Sequence, residues 1–312
     1  LIAGIEVECR VGLLVAPGHY AAGWHSTATI GTFGSAGACA RLLQLDQEKW
    51  LHVLGLAGMQ AQGLKSMFGT MAKSFQVGKA ASNGLEAAVL AAQGGTANQC
   101  VLEDEQGFCK TQSNTYKEQF PPDFQILKTR FKKYACCGGM HPTIDATLSL
   151  MRRYKITPEM TRRVIVGVNP ARDKVCNIQQ PQTPLEGKFS LRFVTALALV
   201  GRTIDTTAFT QQNLDDSEVL QLMDRIVVEL DDVIEETGSM VRIELTDGRS
   251  VQQFCRESDS IEDKDVEWND LTDKFRWLVA PILGKKQANL MVQRIAQLEA
   301  HMLNDVVALC RI

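Results

Sequence analysis

The sequence has no apolar run approaching the roughly 18 residues that a helix needs to cross a bilayer. Its opening stretch from Leu1 to Val15 is apolar but carries Glu6, Glu8 and Arg10, which argues against both a signal peptide and a membrane span. Charge of one sign is also lacking, since 33 Lys+Arg against 36 Asp+Glu leave a formal charge of −3. No global basic field exists to hold nucleic acid or an anionic membrane, so neither is expected as a partner and a small molecule is. The nine cysteines are odd in number and irregularly spaced from Cys9 to Cys310, in a chain too large to need stapling. That usage points to a reducing, cytoplasmic compartment.

Cofactor signatures are missing as well. Gly31, Gly34 and Gly37 form GxxGxxG rather than the dinucleotide turn GxGxxG, and no strand pattern precedes them. Gly187-Lys188 looks like the end of a phosphate loop, but Phe189 replaces the Ser or Thr and Gln182 stands where the upstream glycine belongs. Neither paired cysteines at metal-ligand spacing nor an HExxH arrangement occurs. Cys136 and Cys137 are adjacent, which suits two small buried thiols better than a shared ligand set, although Cys137 with His141 has a spacing that one metal would tolerate. The expectation is no metal and no cofactor.

What is present is a chain of 312 residues, 45% hydrophobic and 22% charged, long enough for two domains. To about Pro122 it alternates helical apolar patterns with glycine-marked turns, giving candidate helices Leu1–Val15, Ser26–Leu45, Lys49–Leu64, Val77–Gln93 and a weaker one ending near Phe120. The second concentrates Gly31, Gly34, Ser35, Gly37 and Ala38 on one face. A glycine costs about 1 kcal/mol against alanine inside a helix, so close approach by neighbours is the expected compensation and this helix is expected to be central.

From Phe124 the pattern changes. Extended stretches are expected at Gln125–Tyr134, Arg163–Val168, Arg225–Leu230, Met240–Leu245 and Ser250–Phe254, with Asp247-Gly248 as a hairpin turn between the last two. Helices are expected at His141–Tyr154, Leu185–Val200 and Ser217–Met223. An acidic stretch from Arg256 to Asp263 reads as a linker, followed by helices Trp268–Val279 and Lys286–Ala308. The fold class is therefore α+β: a mainly helical domain over 1–123, an inserted α/β lid domain with a mostly antiparallel sheet over 124–256, and C-terminal helices over 257–312 packing back on the helical domain. The chain opens at Leu1, already inside a helical pattern, so an upstream portion of the helical domain is expected.

Several residues are candidates for chemistry. Gly23-Trp24-His25-Ser26-Thr27 sets a histidine at a helix start, where its charged form is disfavoured, with Ser26 or Thr27 available as a cap; the ring suits a base or a structural role. Lys73 is expected in a loop at the positive end of the following helix, an anion-gathering place, with a solvated surface charge as the alternative. Phe131-Lys132-Lys133-Tyr134 puts two lysines on opposite faces of a strand, so that one points into a cleft and the other into water. His141 opens a helix with Asp145 four residues on, either a catalytic pair or a capping device.

Together these residues resemble the MmgE/PrpD family. The resemblance rests on Gly23 through Gly34, Lys73 with Gly78 through Gly84, Lys132 with Tyr134 through Asp145, and Leu185 through Leu191, and it covers essentially the whole chain in order. The family includes 2-methylcitrate dehydratase, cis-aconitate decarboxylase and iminodisuccinate epimerase. The resemblance implies a helical domain with an inserted α/β lid, a homodimer, a di- or tricarboxylate substrate and catalytic residues His25, Lys73 and Lys132. Lys73 and Lys132 are also implied to bind substrate, together with Cys137 and His141. Cys137 falls where the decarboxylase has an active-site histidine, which argues against that activity, while the decarboxylase's remaining site residues lie upstream of Leu1. The expectation is a cofactor-independent, dehydratase-type lyase that abstracts a proton beside a carboxylate. An epimerase, a decarboxylase and an inactive truncated homologue are the alternatives.

Overall fold

The computed structural model describes residues 1–117, 120–257 and 264–310. Its architecture is α+β, with helices dominating and one four-stranded sheet. Residues 1–256 form one compact unit, and the chain from 257 onward forms another.

The first unit begins with four long helices, α1 (Ile2–Val15), α2 (Ser26–Leu42), α3 (Gln47–Gly58) and α4 (Met71–Ala92), with the single helical turn Gly18–Ala21 between the first two. The small-residue face of α2 does what close packing requires. A Cβ on Gly34 would meet Glu8 Cβ of α1 at 2.8 Å, and one on Gly37 would meet Val7 Cγ2 at 2.8 Å. Its other side receives Gly84 of α4, whose added Cβ would lie 2.5 Å from the Ala36 backbone nitrogen. Helix α2 is thus gripped between α1 and α4. Phe33, Ala36 and Ala40 are buried in a core shared with Val11 and Val15 of α1, Val53 and Leu56 of α3, and Ala87 and Ala91 of α4.

A second core gathers residues from Tyr134 to Leu245. Its sheet consists of β1 (Thr161–Val168), β2 (Ile226–Leu230), β3 (Gly238–Leu245) and β4 (Ser250–Arg256), in the order β2-β1-β3-β4. Three neighbouring pairs make it mixed: β1 runs parallel to β2, with Val164 beside Ile226, and antiparallel to β3, which is antiparallel to β4. The β3–β4 hairpin turns at Asp247-Gly248 as expected, with Gly248 at φ 89° and Asp247 Oδ1 accepting from the Arg249 amide at 3.0 Å. Helix α5 (His141–Tyr154) packs on this sheet, burying Ile144, Thr147 and Leu150 at helical spacing, and ends at Lys155 in the left-handed region (φ 53°). Helices α6 (Leu191–Leu199) and α7 (Ser217–Met223) complete the layer.

Several expectations are corrected. Gln125–Tyr134 is not a strand: Gln125–Lys128 forms a single 3-10 turn, and the Ile126 amide that a ladder would use is taken by Glu6 Oε1 at 2.8 Å. Leu185–Val200 is two pieces, because Ser190 side-chain oxygen accepts from the Phe193 amide and starts α6 anew. The helix expected near Phe120 is only Phe108–Gln112. Helix α4 begins at Met71 rather than Val77, which moves Lys73 from a loop into its first turn.

In the second unit, helix α8 (Lys264–Leu283) meets α9 (Lys285–Ala296) at Gly284, whose φ of 82° permits the break. The helix expected to continue to Ala308 stops at Ala296 and resumes as the short turns Leu298–Ala300 and Leu303–Ala308. The acidic linker reading falls on 258–263, outside the described residues. No helix among the described residues is long and apolar enough to cross a membrane.

Candidate active site

His25 is itself the N-cap of α2, with φ −87° and ψ 94°, and no side chain caps that helix, so neither Ser26 nor Thr27 takes the role expected. The cap position is held by the His25 amide donating to the Gly63 carbonyl at 3.0 Å and by its own carbonyl accepting from Ala28 and Thr29. The ring is buried edge-on against Phe68, 5.0 Å between centroids. Gln76 Nε2 donates to the Leu64 carbonyl at 3.4 Å, which turns Gln76 Oε1 toward His25 Nδ1 at 3.0 Å. Nδ1 therefore carries the hydrogen and Nε2 the lone pair. Burial lowers the pKa of the ring, the Gln76 bond opposes this, and the charge of Lys73 lowers it further. A neutral imidazole with an available lone pair is the form a general base requires.

Lys73 and Gln76 lie three residues apart, on one face of α4. The Lys73 ammonium sits 5.4 Å from the centre of Phe68 and 5.9 Å from that of Phe189, two rings that stack on each other at 5.4 Å. Burial and then the nearby charge of Lys132 lower the Lys73 pKa, with Cys137 pulling the other way. Lys132 lies in an irregular segment rather than a strand, where its Nζ donates to the Cys136 carbonyl at 3.2 Å. Its neighbour Lys133 turns outward to Asp145, at 2.8 Å.

Cys137 stands just before the 3-10 turn Gly138–Met140, and its amide donates to the Lys188 carbonyl at 3.0 Å. Its sulfur accepts from the Cys176 thiol at 3.3 Å. That bond, with the Gly139 amide and the charges of Lys132 and Arg172, outweighs burial and holds the Cys137 thiol below its ordinary range. His141 follows at the start of α5, edge-on to Tyr134. Burial first, then Lys132, pushes its pKa down to about 4, with Asp145 opposing. Its buried Nε2 has no hydrogen-bond partner among the described residues. The expected His141–Asp145 pair does not form as a hydrogen bond: Asp145 Oδ1 accepts instead from Tyr134 hydroxyl at 2.6 Å and Lys133 Nζ at 2.8 Å.

The fold thus brings His25, Lys73, Lys132, Cys137 and His141 into one electrostatically linked cluster. It also adds members that sequence reasoning missed. Gln76 had a signal, its helical spacing from Lys73, hidden by starting the helix too late. Phe68, and Arg172 with Cys176 from the short helical segment 170–176, had none, because they reach the cluster from parts of the chain remote in sequence. Among the described residues no group of three or more His, Cys, Asp or Glu could hold a metal. A cavity of about 380 Å³ lined by Gln179, Gln182, Arg192 and Asp224 lies on the second core, and none of the cluster's residues lines it.

One lysine from the helical part and one from the α/β part, set beside a neutral histidine and a thiol, define an α+β protein with a shared cationic cluster. The chain belongs to the MmgE/PrpD family: the model of the MmgE/PrpD N-terminal domain matches residues 1–120, and that of the MmgE/PrpD C-terminal domain matches 134–298. It is similar to a cis-aconitate decarboxylase of Aspergillus terreus, 32% identical over 262 residues, covering 74% of this chain and 53% of that protein. A cis-aconitate decarboxylase-like protein of Aspergillus oryzae is 26% identical over 325 residues, covering 96% of this chain and 67% of that protein. The cis-aconitate decarboxylase of Mus musculus is 25% identical over 296 residues, 88% of this chain and 59% of that protein. The chain spans between about half and two thirds of the length of these curated relatives.

Proposed function

We propose that the protein containing this chain is a cofactor-independent lyase of a di- or tricarboxylate, with His25 moving the proton and Lys73 and Lys132 holding the carboxylates. The observation that carries this reading is the lowered pKa of Lys73, where burial and then the ammonium of Lys132 disfavour the cation, Cys137 opposes them only in part, and a further anion would relieve the cost. A substrate carboxylate supplies that anion. When a proton leaves the adjacent carbon, negative charge grows on the same carboxylate oxygens, so the two ammoniums stabilise the enolate-like state more than the ground state.

Neutral His25 takes the proton at Nε2 and becomes an imidazolium. If a β-hydroxyl is present, its carbon–oxygen bond then breaks and the imidazolium returns the proton to the departing hydroxide, giving water and an alkene. This dehydratase reading uses His25 in the protonation state that its environment favours. A second reading is favoured by the named relatives, which are cis-aconitate decarboxylases. There carbon dioxide leaves first and the resulting carbanion is protonated. Cys137 counts against it, standing where the family resemblance puts a decarboxylase histidine. In either case the protein acts as a homodimer in the cytoplasm.

The test is a substrate screen of the full-length protein with citrate, 2-methylcitrate, cis-aconitate and iminodisuccinate in deuterated water, followed by proton NMR. Dehydration gives an alkene, decarboxylation gives carbon dioxide and a deuterium-labelled product, and epimerisation gives exchange without either. Turnover unchanged in Lys132→Met would refute the assignment, and absence of both turnover and binding would establish an inactive homologue.

A further inference from the structure

Cys137 and Cys176 are 39 residues apart in sequence, yet their sulfurs lie 3.3 Å from each other, with the Cys176 thiol donating to Cys137. A disulfide holds its sulfurs about 2.05 Å apart, roughly 1.3 Å closer than these two stand. The two cysteines differ in access: Cys176 is fully buried at the end of the short helix Asp173–Cys176, while Cys137 is only partly so. An attacking reagent therefore meets Cys137 first, and Cys176 stands behind it. Lys132, Arg172 and the Gly139 amide all favour negative charge on the Cys137 sulfur, the setting in which a thiol becomes a nucleophile. Its sequence neighbour Cys136 is pushed up to about 12, mainly by burial, and remains a thiol.

We propose that Cys137 and Cys176 form a redox-active dithiol, a modification site at which a peroxide-class oxidant closes a reversible disulfide beside Lys73 and Lys132. The Cys137 thiolate attacks one peroxide oxygen, the oxygen–oxygen bond breaks, hydroxide leaves and takes a proton from solvent, and Cys137 becomes a sulfenic acid. The Cys176 sulfur then attacks the sulfenic sulfur. Its proton goes to the departing oxygen, which leaves as water, and the sulfur–sulfur bond forms. In sum two thiols lose two electrons, and hydrogen peroxide becomes two waters. A dithiol reductant reverses the bond by exchange. Closure removes the negative sulfur that Lys73 and Lys132 face, so the oxidised site carries more net positive charge than the reduced one. The inference concerns sulfur chemistry alone and stands or falls independently of the proposed lyase reaction.

The test uses the full-length protein, reduced, desalted and titrated with hydrogen peroxide, followed by alkylation and peptide mass mapping. Cys137 and Cys176 are expected to disappear together, at least tenfold faster than exposed Cys100, yielding one cross-linked peptide pair that dithiothreitol releases. Cys100 is a suitable reference because its bond with Glu103 raises its pKa. In Cys176→Ser the cross-link is expected to be absent, with a dimedone-reactive sulfenic acid accumulating at Cys137. Loss of Cys137 no faster than Cys100, or a Cys136–Cys137 cross-link in its place, overturns the proposal. If Cys176→Ser does not fold by circular dichroism, the wild-type cross-link map decides alone.

Discussion

Acid is expected to destabilise this protein through His141 in particular. The ring is neutral in the fold, its pKa held down to about 4 from the ordinary 6.5 by burial and by Lys132. Because the folded value lies below the unfolded one, the contribution to stability is complete above pH 6.5 and is lost as pH falls through about 4. Between those limits the unfolded chain binds more protons, and stability climbs with pH by up to about 1.4 kcal/mol per pH unit. The whole gap corresponds to roughly 3 kcal/mol, which residual solvent contact of the ring reduces to about 2 kcal/mol. His19 and His25 are also lowered in the fold, so the measurement must be a difference. Urea unfolding of the full-length protein and of His141→Gln, from pH 4.5 to 7.5, is the assay. The wild type should lose about 2 kcal/mol more than the variant toward the acid end. Parallel stability curves for the two proteins would refute the reasoning, whatever constant offset separates them.

Lys73→Met should lower kcat/KM on the substrate found in the screen by about 10- to 150-fold, the worth of one hydrogen bond to a charged group. It should also move the acid limb of the pH–rate profile upward, because Lys73 lowers the His25 pKa; an unmoved limb would separate His25 from the reaction. Gly84→Ala should destabilise the fold despite a helix-propensity gain of about 1 kcal/mol, since its Cβ would sit 2.5 Å from the Ala36 backbone nitrogen; a raised Tm would refute the packing argument. Phe193→Ala, at a fully buried position of the second core, should cost about 3–5 kcal/mol in urea unfolding.

Local chemistry made much of the fold legible. The hairpin at Asp247-Gly248 and helices α5 and α7 followed from turn residues and apolar spacing, and the crowding of glycine on α2 correctly implied close neighbours on that face. What escaped was decided at long range. Nothing in Gln125–Tyr134 announces that its backbone is claimed by Glu6 of α1, and nothing in Arg163–Val168 says that it will lie beside Ile226–Leu230 in parallel. Lys73 was misplaced for a subtler reason: Thr70 caps α4 without its side chain, so the helix start carries no sequence mark. Cys176 was invisible as a partner, because a thiol becomes distinctive only through what lies against it.

The same distinction governs the cluster's chemistry. Lys73 and Lys132 are unremarkable singly, and each would be well solvated alone. Convergence of Lys132 on Lys73, which lies against Phe68 and Phe189, makes a place where anion binding relieves a cost already built into the fold. Lys73 is held below its ordinary pKa in the cluster, so a carboxylate arriving there must raise it. Binding will therefore take up protons near the alkaline end of the accessible range, and will do so less in Lys132→Met, where the repulsion is already gone. Calorimetry of a bound tricarboxylate in two buffers of different ionisation enthalpy reads that uptake directly. Equal proton uptake in wild type and Lys132→Met would mean that Lys132 does not set the charge state of Lys73.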